Sequence, residues 1–352
     1  MADSAPILSP PYASLTDRFY REAETAPFPR AETLLVSKGT AACLGLDPIW
    51  LARHEGVRWM LGQAGGQPRP IAMAYAGHQF GRFSRSLGDG RAVILGHLKD
   101  RDGRDHDLAV KGAGPTPFTH RGDGYLTLSA GIAEFEMSEA LAARKIPATR
   151  VLAVLATGET ITREAPEPGG ILVRIASSHI RFGSFQYAWA RRDSDALLRL
   201  ARWTLARHAP AADSLDNPGL AMLDLAVERQ ASLVAQWMKH GFVHGVLNTD
   251  NMLVSGEAMD LSTGGFTATR DPAAVLSAVD RAGRYAFGRQ PEMVRWGLAR
   301  LAEALLPIID RDPQIAIPLA QAAVSRFEPH FAEALEADHS PVAPSRVALS
   351  KI

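Results

Sequence analysis

Between residues 84 and 176 the chain sets short apolar runs around a single helical stretch, and beyond them the patterning turns helical. RAVILGHL (91–98) and DHDLAVKG (105–112) read as two strands, with GRD supplying the turn before the second. LSAGIAEFEMSEALAARK (128–145) reads as a helix after Gly131, with Ile132, Phe135 and Leu141 on one broad face. RVLAVLATG (150–158) and GILVRIA (170–176) are two further strands. That order, strand–strand–helix–strand–strand, calls for a sheet with one helix on it. The second half carries helices at 195–209 and 218–241, the latter closed by Gly241 as its C-cap. Another starts at Pro291 and is stopped by Pro307. MLV (252–254) and AMDL (258–261) flank Ser-Gly-Glu as two brief strands with a turn would. Residues 1–30 read as irregular and proline-rich, ETLLVSKGTAACLGL (32–46) contains a short helix, and 50–62 form another. RVALSKI (346–352) has no clear role. The fold class expected is α+β, a sheet-rich lobe followed by a helical lobe, with a ligand cleft between them. The expected division is an N-terminal extension packed on the lobes (1–70), a sheet-rich lobe (71–190) and a helical lobe (191–352).

Composition removes several function classes. The 38 basic and 38 acidic residues cancel, so no global field favours nucleic acid or a membrane. The single cysteine, Cys43, permits neither an internal disulfide nor a cysteine metal cluster, which fits a reducing, intracellular setting. The most apolar stretches are strand-length and interrupted, and MADSAPILSPPYASL lacks the basic and apolar blocks of a secretory signal. HExxH and GxSxG are absent. Composition does not remove a paired-carboxylate glycosidase, but that reading would leave the cations described next without work.

Four stretches carry candidate chemistry. In LGDGRAVILG (87–96), Gly88 and Gly90 could expose backbone N–H groups to an anion, or form a tight turn around Asp89. In AVKGAG (109–114), strand alternation sends Val110 one way and Lys111 the other, either to solvent or to a phosphate. Glu134 is the candidate partner for Lys111, with Glu136 and Glu139 as rivals. LVRIASSHIRFGSF (172–185) carries Arg174 and Arg181, which beside a lysine could neutralise a triphosphate. In HGVLNTDNMLVSGEAMD (244–260), Asp250 could accept a proton from a nucleophilic hydroxyl. Asn251 and Asp260 could give hard oxygens to Mg2+, or the same residues could simply form turns. His244, beside Gly245, reads equally well as structural.

Longer stretches carry a family resemblance: YAGHQFGRF (75–83), LGDGRAVILG (87–96), DLAVKGAGPTPF (107–118), RGDG (121–124), SEALAARKIPATR (138–150), ILVRIASSHIRFGSF (171–185), GFVHGVLNTDNM (241–252) and GRYAFGRQPEMVRWGLARL (283–301). Together they resemble the SelO family, also called YdiU, of protein adenylyltransferases with a kinase-like fold. The resemblance implies a bilobal, protein-kinase-like architecture. It implies that Lys111, with Glu134 as its helix partner, meets nucleotide phosphate, and that Arg174 and Arg181 meet the terminal phosphate. Gly88, Asp89, Gly90, Arg91, Asp123 and Gly124 are expected at the nucleotide, Asp250 as the catalytic aspartate, and Asn251 and Asp260 as ligands of Mg2+ or Mn2+. ATP would lie flipped relative to ordinary kinases. AMP would then pass to a Ser, Thr or Tyr hydroxyl of a protein, and pyrophosphate would leave. The implied protein is cytoplasmic and monomeric, with ATP and hydroxyl-bearing proteins as partners.

The chain departs from the family pattern in places. The family usually continues its last metal aspartate as DYGPFGF, where this chain has DLSTGGF (260–266). Tyr125, Ser129 and Ala133 stand where arginines are common, and His97 where Glu is usual. The chain stops short of the usual C-terminal end, and Cys43 alone cannot make the redox-sensitive disulfide that many members carry. A nucleotide-binding pseudoenzyme, and after it a protein kinase, are therefore the alternatives.

Overall fold

The computed structural model describes residues 5–12, 14–120, 122–213 and 216–337. Residues 1–30 are not irregular throughout: they supply one edge strand of the main sheet, and residues just beyond them supply the other. In chain order the first elements are β1 (Tyr20–Glu22), β2 (Glu32–Val36), α1 (Lys38–Leu44), α2 (Pro48–Leu51), α3 (His54–Met60), β3 (Ile71–Met73), β4 (Gly77–Gln79) and β5 (Arg82–Ser84). There follow β6 (Ala92–Lys99), β7 (Asp105–Lys111), β8 (Leu126–Thr127), α4 (Leu128–Ala143), β9 (Arg150–Thr162) and β10 (Pro166–Ala176). The eight-stranded sheet runs β1-β3-β6-β7-β10-β9-β2, with β8 paired to β10 and β4-β5 a separate hairpin. All of its strand pairs are antiparallel.

Register on this sheet sorts its side chains into two cores. Lys111 lies opposite Leu172 and Ala109 opposite Arg174, so all four share one face and Lys111 and Arg174 are diagonal neighbours. The alternate residues Leu108, Val110, Val173 and Ile175 pack on the other side, against α1 to α3. Helix α4 covers part of the first face: Leu126, Phe135, Val151, Val154 and Leu172 form one apolar cluster. Thr127 caps α4 by accepting from the Ala130 amide. Ser138 Oγ then donates to the Thr149 carbonyl (3.2 Å) and accepts from the Val151 amide (3.0 Å), fastening helix to strand.

The helical lobe holds α5 (Phe182–Ala190), α6 (Ser194–His208), α7 (Pro210–Asp213), α8 (Pro218–His240), the short pair β11 (Phe242–Val243) and β12 (Gly265–Phe266), α9 (Gln290–Ile309), α10 (Pro313–Ser325) and α11 (Phe327–Glu336). Helix α8 ends on Gly241 at φ 71°, the left-handed cap its sequence calls for. Together the lobes make an α+β fold, a sheet-rich lobe followed by a helical one.

Four local expectations are corrected. Pro307 does not stop α9, because a proline in the last turn removes only one late hydrogen bond and the helix runs on to Ile309. MLV and AMDL form no strands; Met252 bridges Ala258, while Leu253 is drawn to Arg181 and to Gln230. The 50–62 helix is two helices, α2 capped by Asp47 and α3 restarting after Arg53 in extended backbone. ETLLV at the head of the 32–46 stretch is a strand, β2, paired with β9. RVALSKI and Arg121 lie outside the described residues.

Candidate active site

Lys111 closes β7 with its side chain only 5% exposed, and a buried ammonium requires partners. It has two: Glu134 Oε2 at 2.8 Å from α4, and Asp260 Oδ1 at 2.6 Å from the helical lobe. Arg174 Nη1 reaches the same Asp260 oxygen at 3.1 Å and Glu134 Oε1 at 3.5 Å. The rivals drop out: Glu136 is exposed, and Glu139 pairs with Arg150 at 2.8 Å. Burial works to raise the Asp260 carboxyl, yet Lys111, Arg174 and Arg181 together hold it well below the usual carboxylate range. Asp260 sits at φ 58°, a left-handed position that Asp tolerates better than most residues.

Arg181 stands at the N-cap of α5, fully buried between the two lobes. It donates to Asp89 Oδ1 (2.8 Å) and to the Asp250 carbonyl (2.8 Å), and its guanidinium lies 4.3 Å from the centre of the Tyr75 ring. Asp89 is thus an internal ion-pair partner, and its other oxygen accepts from the Met73 amide (3.3 Å). The glycines beside it are closely packed. A Cβ on Gly88 would meet the Phe118 ring at 2.4 Å. The Asp89 amide donates to Met73 and the Gly90 amide to the Gly88 carbonyl, so these two N–H groups are not presented to an anion. Arg91 is exposed at the rim. Asp123 accepts two bonds from Arg163 (2.8 and 3.1 Å), which hold its carboxyl below the ordinary range. Gly124 follows at φ 80°, where a side chain would strike the Gly114 backbone.

Asp250 lies in a single 3-10 turn, Thr249–Asn251, with its residue 6% exposed. Oδ2 accepts from Gln79 Nε2 at 2.9 Å; Oδ1 is buried without a hydrogen-bond partner. Burial raises the Asp250 carboxyl, against the lowering effects of Gln79 and Arg181. Asn251 donates through Nδ2 to the Val246 carbonyl (3.1 Å), which leaves its amide oxygen for another role. His244 is buried and structural, its Nε2 2.9 Å from the Met259 carbonyl. Burial lowers its pKa.

Lys111, Arg174, Arg181, Asp250, Asn251 and Asp260 therefore line one cleft of about 880 Å3. Gly88, Asp89, Gly90, Arg91, Asp123 and Gly124 line it too. Glu134 stands behind Lys111, its side chain 1% exposed, and holds the lysine rather than the cleft. Two lining residues carry no motif of their own. Gln79 sits within the matching YAGHQFGRF stretch, and Arg163 lies in the β9–β10 connection, signalled only by turn-forming neighbours.

A family model for "Protein adenylyltransferase SelO" matches residues 7–338. The chain belongs to the SelO family. A protein nucleotidyltransferase YdiU of Pseudarthrobacter chlorophenolicus is 50% identical over 315 residues, covering 89% of this chain and 64% of the relative. The YdiU protein of Mycolicibacterium smegmatis is 46% identical, covering 92% of this chain and 70% of the relative. The chain thus spans about two thirds of the length of these relatives. The kinase domain of a Toxoplasma gondii rhoptry antigen aligns at 11% identity over 74% of this chain and 85% of that one, with a TM-score of 0.32. That overlap is too loose to add to what the lobes themselves show.

Nucleotidyl transfer in such a family implies a nucleotide and a divalent cation. Among the described residues no group of three or more His, Cys, Asp and Glu side chains is placed to hold a metal ion. Mg2+ does not need one: it commonly takes one or two protein oxygens and completes its shell with substrate phosphates and water. The free amide oxygen of Asn251 and the ionised Asp260 fit that requirement. Among the described residues, no helix is long and apolar enough to cross a membrane.

Proposed function

We propose that this protein transfers AMP from ATP to Ser, Thr or Tyr hydroxyls of other proteins. One observation carries the reading: three buried cations and a buried, partly unsatisfied carboxylate converge on one cleft between the lobes. Cations in such number suit a triphosphate, because phosphoryl-group chemistry needs charge neutralisation and in-line placement more than a strong acid. Lys111, Arg174 and Arg181 bind and orient the phosphates. Asn251 and Asp260 would hold Mg2+, which supplies further neutralisation of phosphate charge when bound. Asp250 receives the proton of the acceptor hydroxyl. The hydroxyl oxygen forms a bond to the α-phosphorus, the bond from that phosphorus to the bridging oxygen breaks, and pyrophosphate leaves. Family membership supports α- over γ-transfer, since the same ligands serve either.

One feature favours a second reading, nucleotide binding without transfer. Asp260 already shares an oxygen with Lys111 and Arg174, and the loop after it has the altered sequence LSTGG. Incubation with Mg2+ and ATP labelled on the α- or the γ-phosphate separates the readings. Protein-bound α label is expected. Label from γ alone would restore a kinase, and tight nucleotide binding with no label would favour the binding-only reading.

A further inference from the structure

The β4–β5 hairpin touches the loop that carries Asp250 at three successive residues. The His78 amide donates to Thr249 Oγ1 (2.8 Å), Gln79 Nε2 to Asp250 Oδ2 (2.9 Å) and the Phe80 amide to Asn248 Oδ1 (3.0 Å). Two of these acceptors are themselves anchored. Thr249 Oγ1 donates to Gln186 Oε1 (2.7 Å), and Asn248 Oδ1 also accepts from the Tyr285 hydroxyl (2.7 Å). Gln186 in turn lies 2.9 Å from His78 Nδ1, which closes the network back on the hairpin.

The hairpin's own turn is held in an unfavourable form. Gln79 pairs with Arg82, so Phe80 and Gly81 are the two central residues, at φ 50° and 81°. Both angles positive is the geometry of a type I′ turn, which ordinarily uses Asn-Gly or Gly-Gly. A phenylalanine there is strained and persists only where its surroundings over-determine it. The hydrogen bond its backbone N–H donates to Asn248 Oδ1 and its ring, 5.3 Å from that of Tyr285, do so. At the other end Gly77 lets the hairpin approach: a Cβ there would sit 3.0 Å from Asp250 Oδ1. Among the described residues, Gln79 alone has a side chain that donates to this carboxylate.

We propose that Gln79 is a positioning residue: its amide sets the rotation of the Asp250 carboxylate that receives the acceptor proton, and the strained hairpin holds Gln79 rigid for that purpose. The inference rests on Asp250 serving the transfer. A near-attack arrangement tolerates little error, and a displacement of about 1 Å can cost about 100-fold in rate.

Gln79→Met keeps the length of the side chain and removes the donor; Gln79→Leu removes it with a shorter apolar side chain and adds no charge. Both are expected to lower kcat for label transfer by about 10- to 100-fold. KM for ATP, the dissociation constant for Mg2+–ATP and the thermal midpoint should stay near wild type. Arg82→Ala, at the exposed end of the same hairpin, should leave kcat unchanged. A rise in KM with kcat preserved, or no change at all, overturns the proposal. Should wild type transfer only the γ label, the same comparison is made on that label. Should it transfer neither, the proposed function fails, and crystal structures of wild type and Gln79→Met decide this inference alone. A turned Asp250 carboxylate in the variant supports it, and an unmoved one overturns it.

Discussion

Lys111 and Glu134 form a pair whose value lies in the site rather than in stability. Their side chains are 5% and 1% exposed, so each charge has lost its water. Removing one partner of a buried pair commonly costs about 3–5 kcal/mol, whereas replacing both with apolar groups is often neutral. Lys111→Met should therefore lower the unfolding free energy by about 3 kcal/mol, the low end, since Arg174 at 3.5 Å remains for Glu134. Adding Glu134→Leu should restore most of that in urea unfolding, while label transfer stays lost in both variants. Full activity in the double variant would remove Lys111 from the chemistry. The lysine was legible in the sequence because strand alternation isolates it from Val110. Its partner was not decided there, since three glutamates lie on one helix and only packing shows which of them faces the sheet.

Helix α6 ends on a histidine that its own position should keep protonated, because a helix C-terminus favours a cation. The surroundings reverse this. Burial first, and then the neighbouring Arg229 and Arg207, lower the His208 pKa to about 3. The neutral ring lies 2.8 Å from Ser178 Oγ. The unfolded chain takes up this proton near pH 6.5, so the stability is complete above that pH and is lost as pH falls toward 3. The loss is at most about 1.4 kcal/mol per pH unit, and smaller to the extent that solvent reaches the half-buried ring. His78, His179 and His244 are shifted in the same direction, so the whole protein should weaken below pH 6.5. Urea unfolding at pH 7 and pH 5 should show the fall, and His208→Gln should blunt it; an identical slope in the variant would remove His208 from the account. Long elements such as α8 and β9 were legible because their periodicity repeats many times. The edge strand β1 was not: three residues carry no period, and its partner β3 lies about fifty positions away. The hairpin that presents Gln79 was hidden for a related reason, because Phe-Gly is not a usual hairpin turn and its stability comes from Asn248 and Tyr285.

Across the whole molecule, charge joins the two lobes at the cleft. Lys111 and Arg174 come from the sheet and Asp260 from the helical lobe, while Arg181 ties Asp89 of one lobe to the Asp250 backbone of the other. The chain has 38 residues of each sign, so a polyanion is not drawn in by a net field, and affinity must come from this local cluster. Nucleotide phosphates would take over Lys111 and Arg174 from Asp260, which frees that carboxylate for a cation. Nucleotide and metal should therefore bind cooperatively, each removing the other's competitor. At 100 times its dissociation constant, a ligand raises the unfolding free energy by about 2.7 kcal/mol. ATP with Mg2+ should raise the thermal midpoint by a few degrees, and ATP with a chelator by clearly less. In Asp260→Ala the gap between the two rises should shrink to a small remainder, because the carboxylate that links metal to nucleotide is gone and only Asn251 is left to the cation, while Lys111 and Arg174 still meet phosphate. A metal-dependent difference as large in Asp260→Ala as in wild type would place the cation elsewhere in the cleft and break the link between the two lobes' charges and the metal.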